Sequence, residues 1–424
     1  MEAQGSMSQL QNSAESGVAA AQYMLGLMHI SGHGVAKDPR LAFAWLEKAA
    51  QQGHAEAQFH LAVRYASGEG VEADEQQALL WYRKAAEQGY VKAQFNLGVL
   101  LHGRKESTSD ERLEALRWYE MAAEQGHPGA QNNIGLMYAS GVDVPRDYRK
   151  AMQWFAKAAN QGDAAGQNNL GMIYSAGKGV PPNPVQAALW YGKAALQGYA
   201  AAQYSLGFMY ETGNGDQQDI ATAMDWYRKA AEQGHLKAQV ALAQLLSDGR
   251  HIARDMAEAA AWYRKAAQQG HAGAQLELGK ICDDGDGLPR DTQEAFRLYR
   301  SAAEKGIGDA QFLLALCYDC GRNTAQDFGQ ALHWYTRAAE QGIGRAQLNL
   351  GLMYGFGQGT ERDLHSAYYW LAIADASGVE RAARYLAGVE AQLTPEQLAA
   401  ARRAFGRHLH QRNGSTPGQP AARR

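Results

Sequence analysis

The sequence predicts an all-α fold, an α/α solenoid of about ten 36-residue helix-turn-helix repeats, and three observations predict it. A Gln that usually follows Ala stands at Gln22, Gln58, Gln94, Gln131, Gln167, Gln203, Gln239, Gln275, Gln311 and Gln347, each step being 36 residues except one of 37. All nine Trp fall in one column of that repeat, from Trp45 through Trp190 to Trp370, and the remaining repeat has Leu298 there. Ala stands three residues before that column in every repeat (Ala42 to Ala367), and Gly eight residues after it (Gly53 to Gly378). Self-similarity at a fixed period of this length marks a stack of small structural units.

The first half of each unit predicts a helix. In the sample 57–65, Ala57, Leu61 and Tyr65 recur every four residues and so share one helical face. The residue after the Leu is usually Gly (Gly26, Gly98, Gly135, Gly171, Gly207, Gly279, Gly351). Gly inside a helix costs about 1 kcal/mol relative to Ala, so its recurrence implies close approach of a neighbouring helix. A Gly-containing turn such as 66–70 ends the segment.

The second half predicts another helix. Seven residues before the Trp column stands Asp38, Asp74, Asp147, Asn183, Asp219, Asp255, Asp291, Asp327 or Asp363, with Glu111 following Asp110 in the repeat that carries the odd spacing. Asp and Asn are strong N-caps because their side chains accept from orphan backbone N–H groups. Pro39 and Pro184 follow where Pro fits the first helical position. Ala78, Trp81 and Ala85 then share one face, which places the Trp column, Trp190 among it, in the expected core. The recurring Gly suits a C′ residue. One helical pair cannot bury its own apolar face, so the units must stack.

Around the array, residues 1–16 are a polar N-terminal segment with no basic or apolar stretch of a classical signal peptide. No run of 18 apolar residues suggests a membrane span. Ten repeats fill 17–379. Residues 380–411 are expected to form C-terminal capping helices: Thr394-Pro395-Glu396-Gln397 has the form of a capping box, and Leu398, Ala401, Phe405 and Leu409 form one stripe. Residues 412–424 are expected to be a disordered tail. Residues 381–424 carry net +6, leaving −9 for the rest of a chain of net −3. The extra residue of the 37-residue step falls in the polar stretch 102–112 and is expected to be a tolerated surface insertion, with a contact site as the alternative.

The motif AQxxLGxxY, the Gly-rich turn, the Asp cap and A-x-x-W-Y-x-x-A-A-x-x-G together resemble the Sel1-like repeat, a relative of the tetratricopeptide repeat. The period of 36 rather than 34 favours Sel1. The resemblance implies a right-handed superhelix of paired helices serving as an adaptor for other proteins. Secreted members carry Cys pairs through many repeats, whereas this chain has only Cys282, Cys317 and Cys320. That points to a bacterial type in a reducing, cytoplasmic setting.

Chemistry-bearing motifs dissolve into the repeat. Cys317 and Cys320 form a CxxC without a second half-site. The run 283–287 lacks the full ligand order of a calcium loop. The run 355–359 resembles a phosphate loop, but no strand precedes it. His54, His127, His235 and His271 all follow the repeat Gly, and His408 and His410 lie on different helical faces. No catalytic, cofactor or metal site is therefore expected.

The informative columns are those where the repeats differ. Counted from the repeat Gln, positions +2, +5 and +9 lie away from the core face of the first helix. In related helical-hairpin solenoids the first helices line the concave groove. The groove candidates are His60, Asn96, Asn133, Asn169, Ser205, Glu277 and Asn349 at +2, with Ser67 and Ser140 at +9. Asn offers both donor and acceptor to a peptide backbone; equally, these Asn can make hydrogen bonds within the repeats. The leading expectation is a scaffold that binds a partner protein or peptide in the groove, with no cofactor, no nucleic acid and no membrane insertion. The alternatives are a hydrolase-like enzyme acting on a small molecule, as linked to some members of the resembled family, and an RNA-binding helical repeat. A pI of about 6.5 and the lack of a basic stripe oppose the last.

Overall fold

The computed structural model describes residues 2–215 and 217–414, with the backbone alone for 2–6 and 408–414. All regular structure among the described residues is helical. The chain divides into two compact units, Met1–Asp219 and Ile220–Arg424. Each is a stack of helical hairpins.

In the first unit α1 (Glu2–Glu15) precedes hairpins built from α2 (Ala19–Ser31) and α3 (Pro39–Gln51), α4 (Ala55–Ser67) and α5 (Glu75–Glu87), α6 (Val91–Gly103) and α7 (Ser109–Glu124), α8 (Pro128–Ser140) and α9 (Tyr148–Asn160), and α10 (Ala164–Ala176) and α11 (Pro184–Leu196). The unit ends on α12 (Ala200–Thr212). The second unit opens on α13 (Ile220–Glu232). It continues through α14 (Leu236–Asp248), α15 (Met256–Gln268), α16 (Ala272–Asp284), α17 (Thr292–Glu304), α18 (Gly308–Cys320), α19 (Phe328–Glu340), α20 (Gly344–Phe356) and α21 (Leu364–Ala376) to α22 (Ala382–Glu390) and α23 (Pro395–Gly414).

The caps explain where these helices start. Asp38, Asp74, Asp147, Asn183, Asp255, Asp291, Asp327 and Asp363 accept from backbone N–H groups of the first turn. One cap differs from expectation. In α7 the cap is Thr108, reciprocally bonded with Glu111 in a capping box, so the helix starts earlier and runs 16 residues instead of 13. The polar stretch before it is tied into the scaffold: Ser107 Oγ donates to the Leu101 carbonyl, and Arg112 pairs with Asp143 at 2.6 Å. The recurring His is a cap as well, for the first helices. Nδ1 of His54, His127, His235 and His271 accepts from the backbone N–H three residues on.

The core bears out part of the expectation for Trp: Trp81, Trp262 and Trp334 are buried, whereas Trp190, like Trp45, Trp118, Trp154, Trp226 and Trp370, is only partly buried. The column buried in every repeat is the next residue, Leu46, Tyr82, Tyr119, Phe155, Tyr191, Tyr227, Tyr263, Tyr299, Tyr335 and Leu371. Several Trp rings also lie under a cation one turn on, as with Lys157 Nζ at 3.8 Å and Lys193 Nζ at 4.1 Å from the ring centres. The helical Gly of the first helix explains the choice. A β-carbon at Gly135 would sit 2.5 Å from the Phe155 ring, and one at Gly171 2.8 Å from Tyr191. The missing side chain is the space the aromatic fills.

The polar N-terminal segment is largely the helix α1, and Met7, Leu10 and Ala14 pack with Ala21, Leu25 and Trp45. At the other end Leu393, Leu398, Ala401 and Phe405 pack onto Tyr368 and Leu371 of α21. The helix α23 runs on through 412–414, into the stretch expected to be disordered. Residues 415–424 lie outside the described residues, as do the side chains of His408, Leu409 and His410.

Candidate functional site

The first helices α6, α8, α10 and α12 present one outward face, and the sequence decides what it carries. At +2, Asn96 and Asn133 are half-buried and lie beside the phenol groups of Tyr82 and Tyr119 in the preceding hairpin. Burial pushes the Tyr119 hydroxyl up to about 12, and the nearby Asn133 amide only partly offsets it. Ser205 lies beside the Tyr191 hydroxyl and donates to the Ala201 carbonyl at 2.9 Å. Asn349 Nδ2 donates to the Tyr335 hydroxyl at 2.9 Å, a tie from one repeat to the next.

Asn169 is different, because its counterpart in α9 is Phe155 and offers no hydroxyl. Its Nδ2 donates to Asn132 Oδ1 at 2.8 Å. Asn132 and Asn168 are both buried, in a +1 column that holds Phe59, Phe95 and Phe312 elsewhere, and Asn168 Oδ1 has no hydrogen-bond partner.

The other sequence candidates scatter. His60 sits between the Tyr23 and Phe59 rings, with centroids at 5.7 and 5.2 Å, and burial holds its pKa down. Glu277 pairs with Lys280 at 2.8 Å. Ser67 and Ser140 are exposed and turn back onto the Arg64 and Met137 carbonyls.

The +5 column supplies what the first reading of the sequence left out. Val99, Leu136, Met172 and Phe208 are 41, 43, 49 and 48% exposed. They stand at +5 on four successive first helices. Around them, at −2, +2 and +9 on the same helices, Lys92 is the one charged residue. The corresponding face of the second unit carries Lys237, Asp248, Glu277, Lys280, Asp284, Asp309 and Arg345. The signal was available: an apolar residue at a column that faces away from the core, repeated at the period of the array.

Against the uncharged stripe lies a cavity of about 360 Å³. Leu136, Phe155, Asn169, Met172, Ile173 and Tyr191 form much of its wall.

The thiols offer no comparable chemistry. Cys282, Cys317 and Cys320 are unbridged. Burial pushes the Cys317 thiol up to about 11, away from the thiolate a nucleophile requires. Among the described residues no three His, Cys, Asp or Glu side chains converge as metal ligands. Asp283 and Asp286 of the calcium-like run pair with Arg322 and Arg254. No described helix is long and apolar enough to cross a membrane.

The family model described as "Sel1 repeat" matches ten times: residues 19–54, 55–90, 91–127, 128–163, 164–199, 200–235, 236–271, 272–307, 308–343 and 344–374. Among solved structures, the chain is similar to c5321, a protective antigen of uropathogenic Escherichia coli strains displaying an SLR fold. The two are 34% identical over 98% of each chain, with a TM-score of 0.58. It is also similar to a Sel1 repeat protein from Oxalobacter formigenes, 35% identical over 73% of this chain and 90% of that one, with a TM-score of 0.58. No curated protein sequence matches.

Proposed function

The chain belongs to the Sel1-repeat family, and we propose that it is a non-catalytic scaffold that binds a partner protein or peptide on the outward face of the first helices in its first unit. The observation that carries this is the column Val99, Leu136, Met172 and Phe208. Contiguous apolar surface left in water marks an interaction site, whereas singly scattered apolar residues do not. The Asn and Ser beside it have hydrogen-bonding capacity for a backbone. The unbridged thiols support a reducing, cytoplasmic setting, and the two bacterial relatives support a bacterial source.

The test is capture from a cell extract on the immobilised chain, with and without nuclease. Leu136→Asp with Met172→Asp is expected to reduce the retained partner about tenfold or more, since charge buried in an apolar interface goes unpaired. Gln153→Asp, on the exposed side of α9, is expected to leave it unchanged. Retention that survives the double variant, or that vanishes on nuclease treatment, would sink this assignment.

A further inference from the structure

The last full repeat departs from the others at the end of α20. Position +9 holds small or polar residues in earlier repeats, Ser31, Ser67, Ser140, Thr212 and Cys320 among them, but here it is Phe356, 70% exposed. Position +8, which carries Glu211, Asp283 and Asp319 elsewhere, is Gly355. The next helix, α22, is a shortened first helix of nine residues where α20 has 13. Between α20, α21 and α22 lies a cavity of about 320 Å³. Leu352, Phe356, Leu364, Leu371, Tyr385 and Val389 form its apolar wall. Its charged lining residues are Arg362 and Arg384, with no Asp or Glu among them.

The end of the array leaves these two cations without a counter-charge. Arg362 Nε donates to the Gly355 carbonyl at 3.0 Å, and its terminal nitrogen donates to Gln392 Oε1, so both acceptors are neutral. Arg254, at the same place in an earlier repeat, instead reaches Asp286 of the next repeat at 2.6 Å. The residue at that distance beyond Arg362 is Thr394. Among the described residues no carboxylate pairs with Arg362 or Arg384, and Glu390 of α22 is taken by Arg402 at 3.0 Å.

We propose that this cavity binds a partner protein through a peptide segment in which a large apolar side chain is flanked by acidic residues. The apolar side chain enters between Leu352, Leu371 and Val389, and a neighbouring carboxylate meets the guanidiniums. The inference goes beyond the stripe of the first unit and does not rest on it. Cations without a counter-charge beside apolar surface favour an acidic partner and reject a basic one. A guanidinium takes a carboxylate through two parallel hydrogen bonds. The volume lies at the lower end for ligand pockets and suits one large side chain. Phe356, Tyr385 and Gly388 are exposed, so a chain can pass across the opening, and Arg and Tyr are the residue types that concentrate binding energy at interfaces.

The experiment selects a phage-displayed random peptide library on the full chain and measures the enriched peptides against variants. Gly388 lines the cavity within α22, and a β-carbon there would meet nothing within 4 Å, so Gly388→Leu fills the space without a clash. Arg362→Gln removes a charge and keeps the local bond, because Gln218 and Gln326 at the same place donate to the Glu211 and Asp319 carbonyls at 2.7 Å. Enriched peptides are expected to carry Asp or Glu beside a large apolar residue. They are expected to weaken about tenfold or more on Gly388→Leu, and likewise on Arg362→Gln with Arg384→Gln, at unchanged melting temperature. Arg384→Glu is expected to turn the selection away from acidic sequences. No enrichment, enriched peptides without acidic residues, or peptides indifferent to the loss of both charges would overturn the proposal. Peptides that bind Gly388→Leu as well as the parent, yet are lost on Met172→Asp, would overturn this site and leave the stripe of the first unit standing. A dimer in sedimentation that Gly388→Leu disperses would overturn the proposal in favour of a second copy as occupant.

Discussion

Tyr191→Ala is expected to destabilise the first unit by about 3–5 kcal/mol, the usual cost of truncating a buried aromatic. Trp190→Ala, one residue earlier in the same helix, is expected to cost clearly less, about 1–2 kcal/mol, because its ring already meets water and loses less burial. Tyr191 is 4% exposed, and its ring fills the space over Gly171 with Ser205 and Ser175 beside its hydroxyl. The half-buried Trp190 has Lys193 over its ring. In a nearest-neighbour stack the damage stays local, so residues 1–219 are expected to melt before residues 220–424 in the Tyr191 variant. Urea titrations followed by circular dichroism decide the order. Equal losses for the two variants, or a larger one for Trp190→Ala, would make Trp190 the equal of Tyr191 in the core and remove the role given to Gly171.

Why the sequence favours the Trp column over the more deeply buried one beside it follows from the helix itself. Trp81 lies three residues after Ala78 and Tyr82 lies four after it, and both spacings share a face with the Ala. Periodicity therefore admits either column. Composition favours Trp because its column is nearly invariant along the chain, while the next column mixes Leu, Tyr and Phe. The helical Gly decides the matter, but its partner ring lies on another helix and cannot be seen locally. Hairpin boundaries were legible for the opposite reason: the Asp caps and turn Gly residues act within a few positions of themselves. Thr108 escaped because the cap moved upstream with the inserted residue while the Asp stayed. The Asn column was legible as unusual but not as tied, since the bonds of Asn349 to Tyr335 and of Asn169 to Asn132 cross from one repeat to the next. The stripe at Val99, Leu136, Met172 and Phe208 was hidden by ordinary residue types, and only exposure sets these four apart from core residues.

The repeat Gln gives the sharpest test of what binds one hairpin to the next. In Gln131, which is 5% exposed, Nε2 donates to the Ala123 carbonyl at 3.2 Å and Oε1 accepts from Gln161 Nε2 at 2.7 Å. One amide thus closes the C-terminal end of α7 and ties it to α9. Gln22, Gln58, Gln94 and Gln167 repeat this pattern along the unit. Gln131→Leu keeps the volume and removes both bonds, while the Ala123 carbonyl keeps the Gly126 N–H at 3.0 Å. Two lost hydrogen bonds at about 1 kcal/mol each give an expected loss of about 2 kcal/mol. An internal control exists at Gln347. Its Nε2 donates to the Ala339 carbonyl at 3.1 Å, but its Oε1 has no partner, because Ser377 stands where the other repeats have a Gln or, once, Lys305. Gln347→Leu removes one bond and relieves one unpaired oxygen, so it is expected to cost less than Gln131→Leu. Gln161→Leu is expected to cost less again, since its amide lies at the edge of the stack. A double-mutant cycle on Gln131 and Gln161 should show coupling of about 0.5 kcal/mol or more. Equal costs at Gln131 and Gln347 with no coupling to Gln161 would mean that the Gln–Gln rung carries no weight. Stacking would then rest on the apolar columns alone.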